Sequence, residues 1–239
     1  MEIEGCPLPE DRRYDLEHDV WWAEDPSNGS ARVGLLGTLA AFAGRFHTVT
    51  FRPIEGTVGR GRSVATVESV RFTGAVRLPV DAEIVERNDA IVARPRLLND
   101  APYGDGWVVR VRPTRTEDLG RWLESASAVA GRIAERIRTQ RIRCWPVSPD
   151  VELVEVGLEC SAVLTKLTEE IARRPAGDAV LLVSDDPTSP IEMVRWADRS
   201  GHALLVHRRE GPLHQFLVRK EAHPRPRLRG AGPSGAVPE

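Results

Sequence analysis

The chain has 239 residues, of which 41% are hydrophobic and 28% charged, with a formal net charge of −2. That balance fits a globular protein and excludes a fibrous or disordered chain, and it offers no global charge for nucleic acid or an anionic membrane. No apolar run approaches the ~20 residues of a membrane span.

Three cysteines, Cys6, Cys144 and Cys160, are too few and too scattered for a disulfide scaffold. The acidic start MEIEGCPLPEDRR lacks the apolar stretch of a secretory signal. A reducing, cytoplasmic setting is therefore expected.

Pro7, Pro9 and Asp11 make residues 5–19 an irregular lead-in to a strand at 20–23. Residues 25–29 read as a turn and 31–35 as a second strand. Leu36, Leu39, Ala40 and Ala43 stand at helical spacing, so a short helix is expected over 36–46. A strand follows at 47–53, then a turn at Glu55-Gly56. Residues 63–67 and 72–76 are rich in β-formers, with Glu68-Ser69-Val70-Arg71 as the tip of a hairpin between them. Residues 82–86 alternate like a strand, Asn88-Asp89 marks a turn, and 108–111 form a last strand.

Residues 116–140 place Leu119, Trp122, Leu123, Ala126, Val129, Ala130, Ile133 and Ile137 at helical spacing. Glu117 and Asp118 suit the start of one long helix, and Arg136, Arg138 and Arg141 suit its end. Packing on its own domain is preferred to a coiled-coil partner. Pro146 and Pro149 then suggest a domain boundary.

The second half reads as strand 151–156, turn 157–160, helix 161–174, strand 179–184 and turn 185–187. Helix 189–199 follows, with Pro190 in its first turn. A hairpin of strands 202–207 and 214–219 closes this part. The β-α-β-α-β-β order implies a two-layer α/β sandwich. Residues 222–239 are rich in Pro and Gly without apolar periodicity, which suggests a disordered tail.

The hairpin at 61–80, the segment Gly5-Cys6 to Glu24 and the run from Leu97 to Trp107 resemble glycine-cleavage H proteins. They are more similar still to the H-like lipoate-binding proteins that serve heterodisulfide-reductase-like sulfur-oxidising complexes. The resemblance covers residues 5–113 and implies an all-β barrel-sandwich hybrid with short helices. In those families the hairpin tip reads Glu-Ser-x-Lys and the lysine carries lipoate. Here Arg71 stands in that place. A guanidinium stays protonated and is no acyl-accepting amine, so lipoate is not expected as a cofactor. The only lysines are Lys166 and Lys220, and the swap is equally consistent with GC-rich codon usage. Glu68 reads as a partner-steering or merely exposed residue, the latter preferred.

The second half, with Gly157-Leu158-Glu159-Cys160, Asp185-Asp186-Pro187 and Gly201-His202, resembles the TusA family of small sulfur carriers. The resemblance implies a persulfide on Cys160 at the start of the first helix. A thiol there faces unpaired N–H groups and the positive dipole end, which lowers its pKa. The family's Cys-Pro is here Cys160-Ser161. An inert buried Cys160 is the alternative. Cys6 receives no role and Cys144 reads as structural. The histidines show no metal-ligand spacing with the cysteines, and a turn explains Asp185-Asp186 more simply than a metal site.

The domains expected are 1–113 H-like, 114–149 helix and linker, 150–221 TusA-like, and 222–239 tail. The function expected is a sulfur-trafficking accessory protein, a carrier rather than a turnover enzyme. Its partners would be a sulfurtransferase or heterodisulfide-reductase-like complex, with lipoylated or lipoate-handling proteins as further candidates, and no nucleic acid or membrane. A non-catalytic scaffold with both sites degenerate is the second reading. A glycine-cleavage lipoyl carrier is the third.

Overall fold

The structure, a computed structural model, describes residues 1–54 and 56–225. Glu55 and residues 226–239, which hold most of the expected tail, lie outside the described residues. The chain divides into two units, Met1–Ser148 and Pro149–Glu239.

In the first unit, β1 (Glu2–Ile3) pairs with β2 (Cys6–Pro7). There follow β3 (Arg13–Asp15), β4 (Val20–Asp25), β5 (Ser30–Leu35), α1 (Gly37–Ala43), β6 (Phe46–Phe51) and β7 (Thr57–Val58). Next come β8 (Ser63–Ser69), β9 (Thr73–Arg77), β10 (Ala82–Arg87), α2 (Asp89–Ala93) and α3 (Leu97–Asp100). The unit ends with β11 (Trp107–Pro113), α4 (Leu119–Trp122), β12 (Glu124–Ser125) and α5 (Ala126–Thr139). Besides the β1-β2 pair, two larger antiparallel sheets result, in the orders β12-β3-β4-β5-β11-β10-β7 and β6-β8-β9. Val20, Trp22, Val33, Leu35, Val64, Val67, Val76, Val109 and Val111 belong to one core shared by both sheets.

Successive side chains of a strand point to opposite faces. On β4 that alternation sends Trp22 into this core and Trp21 into a second one. The second core is closed by α5, whose Ala126, Val129, Ile133 and Ile137 lie with Leu8, Tyr14, Trp21 and Leu36. The helix thus packs on its own domain. Ile133 is fully buried, and truncating such a residue costs about 2–5 kcal/mol.

The single helix expected over 116–140 is broken. Leu119, Trp122 and Leu123 pack with the first core while α5 packs with the second. One straight helix cannot serve both. Leu123 is extended (φ −116°, ψ 124°), and β12 joins the sheet edge by pairing Glu124 with Tyr14. Ser125 then caps α5, its Oγ accepting the Ala128 N–H at 3.3 Å.

The turn expected at Asn88-Asp89 instead opens α2. Asn88 Oδ1 accepts from Ala90 N at 3.2 Å, and its Nδ2 donates to the Asp105 and Trp107 carbonyls at 2.8 and 2.6 Å.

The cysteines also depart from expectation. Cys6 and Cys144 form a disulfide across 138 positions of sequence. β2 and the segment after α5 meet on the second core, where both residues are buried. That meeting is tertiary, and cysteine spacing alone does not show it.

The second unit contains β13 (Val151–Glu155), α6 (Cys160–Arg173), β14 (Ala179–Ser184), α7 (Ser189–Ser200), β15 (Ala203–Glu210) and β16 (Leu213–Arg219). The sheet order is β13-β14-β16-β15, with β13 parallel to β14 and the other pairs antiparallel. This is the β-α-β-α-β-β order read from the sequence. Val163, Leu167 and Ile171 of α6 pack with Met193 and Trp196 of α7 over Val180, Leu182, Phe216 and Val218. Trp196 Nε1 donates to Thr168 Oγ1 at 2.9 Å, linking the two helices. The parallel β13–β14 pair puts the start of α6 and the loop before α7 at one end of the sheet, beyond the strand C-termini.

Among the described residues, no helix is long and apolar enough to cross a membrane.

Candidate functional site

The first candidate is the tip of the β8–β9 hairpin. The ladder runs from Ser63 opposite Arg77 to Glu68 opposite Thr73, and Ser69 N–H donates to the Phe72 carbonyl at 2.7 Å. Val70 and Arg71 therefore sit at the bend, with Val70 97% exposed. Ser69 is buried; its Oγ donates to the Ala43 carbonyl at 2.6 Å and accepts the Arg71 N–H at 3.3 Å. The tip is thereby tied to the end of α1.

Gly44 follows α1 with φ +73°, a region glycine tolerates best, and a Cβ there would stand 3.2 Å from Arg71 Nε. The arginine side chain runs past that glycine. Asn99 secures the same loop, Oδ1 accepting from Phe46 N at 2.9 Å and Nδ2 donating to the Ala40 and Gly44 carbonyls at 3.1 and 2.8 Å. Nothing in a one-dimensional reading assigned Asn99 that work, although it stands in the Leu97–Trp107 run. Glu68 is half-buried in the ladder rather than exposed.

The second candidate is Cys160, the first residue of α6 and a free thiol 7% exposed. The expected helix-start position is present, but a depressed thiol pKa is not. Burial pushes the Cys160 pKa up, and the negative charges of Asp186 and Glu192 add to that; hydrogen bonds from Ser189 and Thr188 pull the other way.

Burial is the larger cause, and the loop before α7 adds the Asp186 charge to it. Asp186 Oδ2 accepts the Cys160 backbone N–H at 2.8 Å, and Asp185 Oδ1 accepts the Gly157 N–H at 2.8 Å. A carboxylate thus occupies the helix end that would otherwise serve the sulfur. Asp186 Oδ1 also accepts from Thr188 N and Oγ1 at 2.7 and 2.6 Å. These bonds hold its carboxyl below the usual range. A plain turn at Asp185-Asp186 does not account for these bonds to Gly157 and Cys160, which span 28 and 26 positions of sequence.

His202 and His207 are partly buried. His207 hydrogen-bonds His214 at 3.1 Å and stacks on Phe216, while His202 Nδ1 accepts the Glu221 N–H at 3.3 Å. Asp15, Glu17 and His18 bring possible ligand atoms within 4.8 Å. Their own contacts account for the cluster: Asp15 Oδ2 bonds His18 Nδ1 at 2.7 Å, and Glu17 is held by Arg60.

With this geometry in place, a family model described as "Glycine cleavage H-protein" matches residues 12–136. The chain belongs to the glycine cleavage H-protein family. A second family model, "Sulfurtransferase TusA", matches residues 155–220. The architecture is thus an N-terminal H-protein domain fused to a C-terminal TusA domain.

Glycine cleavage system H protein 5 of Aquifex aeolicus is 37% identical over 147 residues, covering 60% of this chain and 98% of that relative. H protein 3 of the same organism is 38% identical over 120 residues, 50% of this chain and 74% of its own. A probable glycine cleavage system H protein 2 of Saccharolobus solfataricus is 32% identical over 146 residues, 60% and 98% of the two chains. The crystal structure of a glycine cleavage system H protein from Mycobacterium marinum covers 53% of this chain and 98% of its own, at 32% identity and a TM-score of 0.46. The hairpin tip falls in the H-protein domain and Cys160 in the TusA domain.

Proposed function

We propose that this H-protein-family chain is a sulfur-trafficking accessory protein whose TusA domain carries sulfane sulfur as a persulfide on Cys160. The observation that carries this reading is the place of Cys160 at the first residue of α6, inside the TusA match, with the Thr188 and Ser189 hydroxyls on its sulfur. The Cys160 thiolate attacks the outer sulfur of a donor persulfide. The donor's S–S bond breaks as the new one forms, and the donor leaves as a thiolate that takes up a proton. No external oxidant is needed, because the sulfane sulfur keeps its oxidation level.

The H-protein domain serves in this reading as the docking module, for a sulfurtransferase or a heterodisulfide-reductase-like complex that meets lipoylated relatives. Lipoate does not fit this hairpin. The bend presents Arg71, and amide formation needs a neutral amine. The chain's two lysines, Lys166 and Lys220, lie in the other unit; Lys166 pairs with Glu155 at 2.7 Å, and Lys220 donates to the Ala172 and Arg174 carbonyls. A glycine-cleavage lipoyl carrier, the third reading of the sequence, would therefore lack its attachment point.

The test is to incubate the protein with a persulfide donor and map the adduct by mass spectrometry. One added sulfur on Cys160 is expected. An unmodified Cys160, under donor conditions that load an established carrier, would overturn the reading.

One observation favours a second reading, a non-catalytic scaffold with both carrier sites degenerate: the Cys160 side chain is buried. On that reading Cys160→Ala leaves cellular function intact, whereas a carrier loses it.

A further inference from the structure

We propose that Asp186 is a positioning residue that holds the 185–189 loop over Cys160, and that sulfur loading requires this loop to leave the start of α6. The inference rests on the sulfur-carrier reading and adds a means of controlling it.

The first N–H groups of a helix have no partner within the helix and are the natural stabilisers of an anion placed there. At α6 the N–H of Cys160 itself is already taken by Asp186 Oδ2 at 2.8 Å. A sulfur anion and a carboxylate compete for the same positive helix end, and in this arrangement the carboxylate holds it.

The same carboxylate binds Thr188 through both its N–H and its Oγ1. One side chain thereby fastens the start of α7 to the start of α6. Asp185 adds a parallel tie to Gly157 at 2.8 Å. Beneath them Ser189, 1% exposed, hydrogen-bonds Ser184 Oγ at 3.1 Å. Thr188 and Ser189 act on the sulfur from this loop, so the element beside the thiol is the one Asp186 ties down.

Coverage and charge act in the same direction. The charged groups acting on the sulfur are Asp186 from the loop and Glu192 from α7, both negative. Lifting the loop removes the larger of these charge effects along with the opposing Thr188 and Ser189 interactions, uncovers the thiol and frees the helix-end N–H for the sulfur anion. A persulfide adds a second, anionic sulfur to a side chain only 7% exposed, which is incompatible with the loop as seated.

The test reads the thiol and not sulfur transfer. With the Cys6–Cys144 disulfide intact, Cys160 is the single free thiol of the chain. Alkylation of the full-length protein by iodoacetamide, followed across pH, gives both a rate and a titration midpoint. Asp186→Asn keeps an oxygen acceptor and removes the charge. It is expected to alkylate several-fold faster at neutral pH, with its midpoint moved down, because removing the negative charge favours the thiolate.

A variant with wild-type rate and midpoint overturns the proposal. So does a faster rate with an unmoved midpoint, because the Asp186 charge would then not stand beside the sulfur. Should Asp186→Asn fail to fold, Asp185→Ala removes the acceptor of the Gly157 N–H and loosens the same loop; it is expected to alkylate faster than wild type, and an unchanged rate would overturn the proposal. Failure of Cys160 to accept sulfur from a donor would sink the carrier reading but leave these alkylation results standing, so the two are separable.

Discussion

Cys6 and Cys144 are joined by a disulfide with their Cα atoms 5.1 Å apart, closing 138 positions of sequence into one covalent loop. A cross-link of that span limits the unfolded chain, and removal of a native disulfide costs about 2–5 kcal/mol. The double variant Cys6→Ala/Cys144→Ala is expected to lower the denaturation midpoint of the H-protein domain accordingly, read by urea titration. Unfolded without reductant, the wild-type chain should show one reactive thiol, and three after reduction. Disulfides are exceptional in reducing compartments, so the same thiol count on protein quenched directly from cells tests the cytoplasmic expectation.

Restoring an amine at the bend should restore a lipoyl acceptor. Arg71→Lys places a lysine beside Val70, which is almost fully exposed. Co-expressed with a lipoate ligase, the variant is expected to gain a single lipoyl adduct by intact mass, whereas the wild-type chain gains none. An adduct on the wild-type chain before Lys166 would contradict the account of Arg71.

Ser69 is the hinge pin of the same hairpin. Ser69→Ala leaves the Ala43 carbonyl without its 2.6 Å donor and Arg71 N–H without its acceptor. The expected loss is about 1–3 kcal/mol in chemical denaturation, with faster amide exchange localised to residues 69–72.

Tyr103 makes the H-protein domain sensitive to alkali. Burial, the largest cause, pushes its phenol up from 10.0 to about 12, although its hydroxyl accepts the Gly37 N–H at 3.1 Å. A raised folded-state pKa means the stabilisation is complete below the unfolded value and is lost as pH rises through the folded one. Stability should therefore fall by about 1.4 kcal/mol per pH unit per such group between those two values. Tyr103→Phe should flatten that limb and cost about 1 kcal/mol at neutral pH through the unpaired Gly37 N–H. Burial raises Tyr14 as well, so part of the alkaline limb remains in the variant.

The hairpin of β8 and β9 was legible because its cause is local. Alternating β-formers around Ser69-Val70-Arg71 need no distant partner to declare a bend, and the register from Ser63 to Arg77 follows. The order of elements from β13 to β16 was legible for the same reason. The break at Leu123 was not, because apolar residues from Leu119 to Ile137 fit one helical stripe. Only the presence of two cores on opposite faces of β4 shows that the stripe serves different neighbours.

Chemistry divides along the same line. Composition and order alone determine that Arg71 is no amine and that Cys160 begins a helix, since both follow from residue identity and short-range pattern. Tertiary structure decides whether that thiol is charged and open to a donor. Asp186, brought from 26 positions away, takes the helix-end N–H and the surrounding side chains exclude water. A titration depends on the field and solvent at one point in space, and those are assembled from residues the linear order keeps apart.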